Sequence, residues 1–151
     1  MITIEEFKKK QLNTSRLIGL DLGSKRIGVA ICDENQKIAT PLKTINKSKF
    51  EDLINELEDI IKENNIKGII IGNPINMDGT FGKSSQSVND VSKAISKEID
   101  LPISLWDERL STVGAFKLTE NLGINATKRE KNIDKNAAAF ILQGAIDFIN
   151  N

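Results

Sequence analysis

The chain has 151 residues, with no histidine, no tyrosine and a single cysteine. Without histidine there is no histidine general base, no Ser-His-Asp or Cys-His catalysis and no histidine-ligated zinc. One cysteine, Cys32, excludes an intramolecular disulfide and a cysteine-rich metal site. It reads as a small buried hydrophobe, and its isolation suits a reducing cytoplasm. No apolar run approaches the ~20 residues of a membrane span. Met1 to Ser15 lacks the ~7–15-residue apolar stretch of a signal peptide, so a cytoplasmic chain with no membrane partner is expected. Net charge is missing too, since 21 lysines and arginines balance 21 acids. Three prolines and ten glycines are scattered as punctuation, and no linker, repeat or low-complexity tract stands out.

What is present is a globular composition, 39% hydrophobic and 28% charged. The length fits one domain with a real core. Any chemistry must rest on carboxylates, lysine and arginine, hydroxyls and backbone amides. Residues 1–15 read as a polar extension in which Thr3 and Glu6 can cap a brief helix, and 16–151 as the single domain. Arg16–Asp21 and Arg26–Asp33 read as strands. The short link between them makes the pair antiparallel. Lys37–Thr44 is a third strand, and Pro41 marks it as an edge. Ser48 and Glu51 form a Ser-x-x-Glu capping box for a helix ending near Asn64. Lys67–Gly72 is a buried strand. A second helix covers about Ser85–Ile99, and Ile103–Trp106 is a fifth strand. A short helix near Thr112–Asn121, a polar basic loop at Gly123–Asn132 and a last helix at about Asp134–Asn150 complete the chain. This order predicts an α/β fold: a mixed five-stranded sheet, three antiparallel strands then two parallel, flanked by helices through right-handed crossovers. It resembles the ribonuclease H-like fold.

Asp21 ends the first strand, Asp107 and Glu108 end the fifth, and Asp134 begins the last helix. Sites in open α/β sheets gather at the carboxyl ends of strands. Carboxylates clustered without histidine are what hard Mg²⁺ or Mn²⁺ needs. Two such ions ~3.5–4 Å apart can activate water and stabilise the leaving oxygen of a phosphodiester. From spacing alone the same acids read more readily as turn residues and helix caps. Strand alternation allows only one of Asp107 and Glu108 into such a site.

Four segments resemble, in order, the motifs of the YqgF/RuvX family. They are Gly19-Leu-Asp-Leu-Gly-Ser-Lys-Arg-Ile-Gly-Val-Ala30, Gly72-Asn-Pro-Ile-Asn-Met-Asp-Gly-Thr-Phe-Gly82, Asp107-Glu-Arg-Leu-Ser-Thr112 and Asp134-Lys-Asn-Ala-Ala-Ala-Phe-Ile-Leu-Gln143. The resemblance spans about Arg16 to Asn150. It implies a ribonuclease H-like nuclease, first assigned to Holliday junction resolution and now associated with 5′-end processing of pre-16S ribosomal RNA. It makes Asp21, Glu108 and Asp134 the catalytic metal ligands, with two Mg²⁺ or Mn²⁺ ions as cofactors. It alone prefers Glu108 to Asp107. Asn73 departs from the family, which usually has leucine there. That change affects loop packing and none of the acids.

Around these acids stand candidate substrate contacts. Lys25 and Arg26 follow Asp21 and suit phosphate, or form a solvated hairpin pair. Arg109 suits bidentate phosphate binding, or pairs with an acid. Asp78-Gly79 signals a turn whose amides, with Thr80, can cradle a phosphate. Met77 and Phe81 suit base stacking or a small local core equally. Ser111 and Thr112 read as helix caps.

Charge is unevenly spread. Residues 1–26 carry net +3 and 27–66 carry net −3, while Lys128-Arg129-Glu130-Lys131 is a second basic stretch. The partner expected is nucleic acid, structured RNA before a DNA junction, bound modestly and with metal dependence. Alternatives are a Holliday junction resolvase, which needs a two-fold dimer, and a non-catalytic module docking to ribosome-assembly or transcription partners. A monomer or weak homodimer is expected. An actin-like or sugar-kinase phosphate loop also resembles the first motif, but such folds need two domains.

Overall fold

Runs of β-branched residues drive the core of this chain into one sheet. The computed structural model describes residues 1–10, 12, 14–75, 78–80, 82–110 and 126–151, and the side chains of these except 110 and 126–135. The elements are helix α1 (Ile4–Lys9), strands β1 (Arg16–Leu22), β2 (Arg26–Cys32) and β3 (Ala39–Asn46), helix α2 (Phe50–Asn64), strand β4 (Ile66–Asn73), helix α3 (Lys83–Glu98), strand β5 (Ile103–Asp107), a 3-10 turn (Glu108–Leu110) and helix α4 (Ala126–Ile149).

The strand order is β3-β2-β1-β4-β5. The first three strands meander antiparallel, and β4 and β5 add in parallel. This is the expected mixed sheet. Pro41 sits on the edge strand β3, where the pairing register with β2 shifts between Val29 and Ala30. A proline cannot donate to a ladder, so an edge with an irregularity is where it fits.

One sheet face packs Ile18, Leu20, Ile69 and Ile71 against α2 and α3, with Leu57 and Ile95 fully buried there. The other packs Leu17, Ala30 and Ile70 against α1 and α4. The close fit of α4 depends on Gly19 of β1. A Cβ there would stand 2.7 Å from Leu142 Cβ and 3.0 Å from the Ala138 carbonyl oxygen. The helix then runs toward the β2–β3 turn, where Asn150 Nδ2 donates to Gln36 Oε1 at 3.1 Å.

Thr3 caps α1 as expected, accepting from Glu6 N–H at 3.1 Å. Phe7 of this helix is fully buried, and Ile2 bridges to Ser104 of β5. The first residues are therefore tied to the domain.

Two expectations need correction. Helix α2 starts at Phe50 with Lys49 as its N-cap, and no side chain caps it. Ser48 lies one residue too early, and its hydroxyl instead meets the Asp52 carboxylate at 3.4 Å. The basic loop expected at 123–132 is helical from Ala126, so Asp134 lies inside α4 rather than at its start. Alanine, lysine, arginine and glutamate are strong helix formers, and their propensity outweighs the lack of an apolar stripe. The helix expected at 112–121 lies outside the described residues.

Candidate active site

The parallel pairing of β1, β4 and β5 decides which acids can meet. Leu20 is level with Ile71, and Gly72 with Trp106. Asp21 therefore ends β1 beside Gly72, and Glu108 follows β5 on the other side. Strands ~4.8 Å apart would leave the two acids separated by the width of β4. Gly72 removes the obstacle. A Cβ at Gly72 would come within 3.0 Å of Glu108 Cγ and 3.1 Å of Glu108 Cδ, and within 2.4 Å of Ile141 Cδ1. The Glu108 side chain thus lies across the bare backbone of β4 and shares a hydrogen bond with Asp21.

The electrostatics follow from that geometry. Burial first, then the Asp21 charge and the shared hydrogen bond, push Glu108 from 4.5 up to about 7. Water is partly excluded, and two carboxylates share one place, so one of them tends to keep its proton. Asp107 behaves in the opposite way. Its side chain turns to Arg109, which donates through Nη2 at 2.6 Å and through its backbone N–H at 3.0 Å. These bonds hold the Asp107 carboxyl below its usual range. Of the two neighbours, Glu108 is the one that meets Asp21.

Asp134 lies on α4 four residues before Ala138, whose carbonyl abuts Gly19. One helical turn, ~5.4 Å, separates them on one helix face, toward the sheet edge that carries Asp21. Its side chain lies outside the described residues. Among the described residues, no three acids or cysteines form a metal-sized group. Asp147, further along α4, accepts from Gln143 Nε2 at 3.0 Å, away from the site.

The expected substrate contacts fall on the hairpin after Asp21, on the turn after β5 and on the loop at 78–80. Lys25 is exposed on the hairpin after Asp21, and Arg26 opens β2 half-buried, paired in register with Asn46. Arg109 is engaged by Asp107. Asp78 organises the next loop, accepting from Thr80 N–H at 3.0 Å and Thr80 Oγ1 at 2.6 Å. These bonds, and the nearby Arg109 charge, keep the Asp78 carboxyl below its usual range. Gly79 has φ +88°, a left-handed turn that favours glycine. A Cβ on it would stand 3.6 Å from Arg109 Nη1, so this loop lies against Arg109. Asn73 is buried and accepts from Ser85 Oγ at 2.7 Å, tying β4 to the first turn of α3. Met77, Phe81, Ser111 and Thr112 lie outside the described residues. Cys32 is buried beneath Leu17, whose N–H reaches its sulfur at 3.2 Å, and burial pushes its thiol up.

Gly72 was not among the candidate site residues, because its value appears only once β4 is known to lie between β1 and β5. The available signal was the crossover order, which makes β4 the neighbour of β1.

Known proteins resemble this chain in sequence and in fold. The family model described as "RuvX: Holliday junction resolvase" matches residues 15–148. A protein of Pelagibacter ubique described as "Putative pre-16S rRNA nuclease" is 70% identical over 100% of both chains. One of Ruegeria pomeroyi with the same description is 43% identical, covering 99% of this chain and 97% of the relative. Among solved structures, RuvC of Thermus thermophilus in complex with a Holliday junction substrate has TM-score 0.53 at 11% identity, covering 84% of this chain and 91% of that one. That likeness is one of fold.

Proposed function

Because the chain belongs to the RuvX family, we propose that it is a metal-dependent endonuclease that processes the 5′ end of pre-16S ribosomal RNA. The observation that carries this reading is the Asp21–Glu108 pair, hydrogen-bonded across Gly72 at the carboxyl edge of the sheet. The donor set fits a hard divalent cation. Two carboxylates too crowded to be charged together are relieved by a positive ion between them. Asp21, Glu108 and Asp134 would hold Mg²⁺ or Mn²⁺, in a two-ion site. Such ions, when bound, acidify the attacking water and stabilise the leaving oxygen.

The chain's own groups supply the rest. Asp21 and Glu108 orient the reacting phosphodiester by fixing where positive charge sits. Lys25, Arg26 and Arg109 flank the acids with cations for the backbone phosphates, which position substrate without reading sequence. Arg109 would exchange Asp107 for a phosphate, since its planar fork serves either. Asp78 and Thr80 hold the adjoining loop in its turn. The catalytic domain is 16–151, with the polar segment 1–15 docked against it. Among the described residues no helix is long and apolar enough to cross a membrane.

The test compares wild type with Asp21→Asn on a precursor ribosomal RNA end and on a four-way DNA junction, with Mg²⁺, Mn²⁺ or chelator. Wild type with metal should cut the RNA, leaving 5′-phosphate and 3′-hydroxyl ends. Asp21→Asn and chelated protein should not. Cleavage of the junction alone would transfer the activity to junction resolution. Cleavage that survives Asp21→Asn would remove the acid pair from the chemistry.

A further inference from the structure

The sheet face opposite the acid pair carries a cavity that the nuclease reading does not use. It opens at Gly23, where β1 turns into β2, and holds about 190 Å³. Ile27 and Ile45 of the sheet and Val88 and Val91 of α3 make its apolar walls. Phe50, the first residue of α2, also lines it while remaining 38% exposed. The volume falls below the ~300–1,000 Å³ of drug-sized sites. It suits a single planar ring system.

The rim is cationic. Lys47 lines the cavity, and its N–H donates to the Lys25 carbonyl at 2.9 Å, so both lysines stand at one mouth. Lys49 precedes the aromatic wall at Phe50, so Lys25, Lys47 and Lys49 lie in the two segments that frame that mouth. Of the acids close by, Asp21 belongs to the acid pair, Asp52 takes the Ser48 hydroxyl, and Glu56 pairs with Lys43 at 3.6 Å. An apolar slot with an aromatic wall and a lysine rim is the combination that takes a nucleobase and its phosphate.

Position completes the case. Gly23 lines the cavity, and its N–H donates to the Asp21 carbonyl at 3.0 Å. A strand crossing this edge of the sheet can lay a phosphate at the acids and turn the neighbouring base into the slot. We propose that the cavity receives one unpaired nucleobase of the RNA strand beside the cleaved phosphodiester. The proposal takes its substrate from the nuclease reading, and it makes the enzyme favour a splayed or single-stranded end over continuous duplex.

The experiment is methyl NMR of the full chain in chelator, titrated with a short single-stranded RNA, the same strand made abasic, and a duplex of equal length. The single strand should shift the Ile27, Ile45, Val88 and Val91 methyls, and the other two should not. Ser87 is exposed and lines the cavity. Ser87→Trp should therefore fill it and weaken single-strand binding about ten-fold, a typical loss for one base stack, with thermal unfolding unchanged. Equal shifts from abasic or duplex RNA would overturn the proposal. So would methyls that respond to protein concentration alone, which would mark contact with a second copy. Base-dependent shifts in a protein that cuts no RNA when given metal would sink the nuclease reading and leave the pocket standing.

Discussion

Replacing Glu108 with glutamine should stabilise the metal-free protein, by an amount that grows from pH 4.5 and levels off above pH 7. The folded chain holds the Glu108 proton up to about pH 7, whereas the ordinary value is 4.5. Between these values the folded state binds a proton that the unfolded state has released. Stability therefore falls as pH rises through this window. At ~1.36 kcal/mol per pH unit the full effect would reach ~3 kcal/mol. The carboxyl is only partly shielded from water, so solvent screening reduces this to about 1–2 kcal/mol. Glutamine keeps the shape and hydrogen-bonding capacity but has no proton to lose. Thermal unfolding in chelator should show the two proteins within error at pH 4.5. At pH 8 the variant should melt about 2–8 °C higher, given ~2–4 °C per kcal/mol for a chain of this size. The missing histidines make the comparison clean, because few other groups titrate in this window. Saturating Mg²⁺ should erase the variant's advantage by favouring ionised wild type. A difference between the proteins that is constant from pH 4.5 to 8 would refute the reasoning.

Two glycine substitutions should separate catalysis from stability. Gly72→Ala places a methyl against Glu108 and the mobile tip of Ile141; it should cost about 1 kcal/mol or a little more in urea unfolding but reduce RNA cleavage ~100-fold, since small displacements of a reacting group are costly. Gly19→Ala instead meets the backbone of α4 at Ala138; calorimetry should show a larger loss, about 1–3 kcal/mol, with any activity defect tracking the loss of folded protein.

The sheet was legible because its determinants are local. The run Lys67–Gly72 can only be a buried strand, and the four-residue link after Asp21 can only join antiparallel neighbours. Where two local signals compete, sequence was a poorer guide. Ser48 and Glu51 have the spacing of a capping box, yet the chain enters α2 one residue later, because Lys49 takes the extended cap geometry. Residues 126–132 lack apolar periodicity and read as loop, although Ala126 and the run Lys128–Lys131 favour helix. The choice between Asp107 and Glu108 could not come from alternation, because the strand ends between them. Which of the two meets Asp21 depends on Arg109, which captures Asp107, and on the open backbone of Gly72, which admits Glu108. Both are contacts across elements, and no spacing rule encodes them.

The bare backbone of β4 has a consequence for biosynthesis. Asp21 and Glu108 meet only across that strand, and both flank parallel pairings that close late, since each spans a long stretch of chain. A nascent chain that has emerged as far as β4 has formed the hairpin of β1 and β2 but owns a single acid of the pair. The second arrives after β5 has docked on the sheet edge. The proposed cutting edge is therefore complete only after β5 has joined the sheet, when most of the chain has been synthesised.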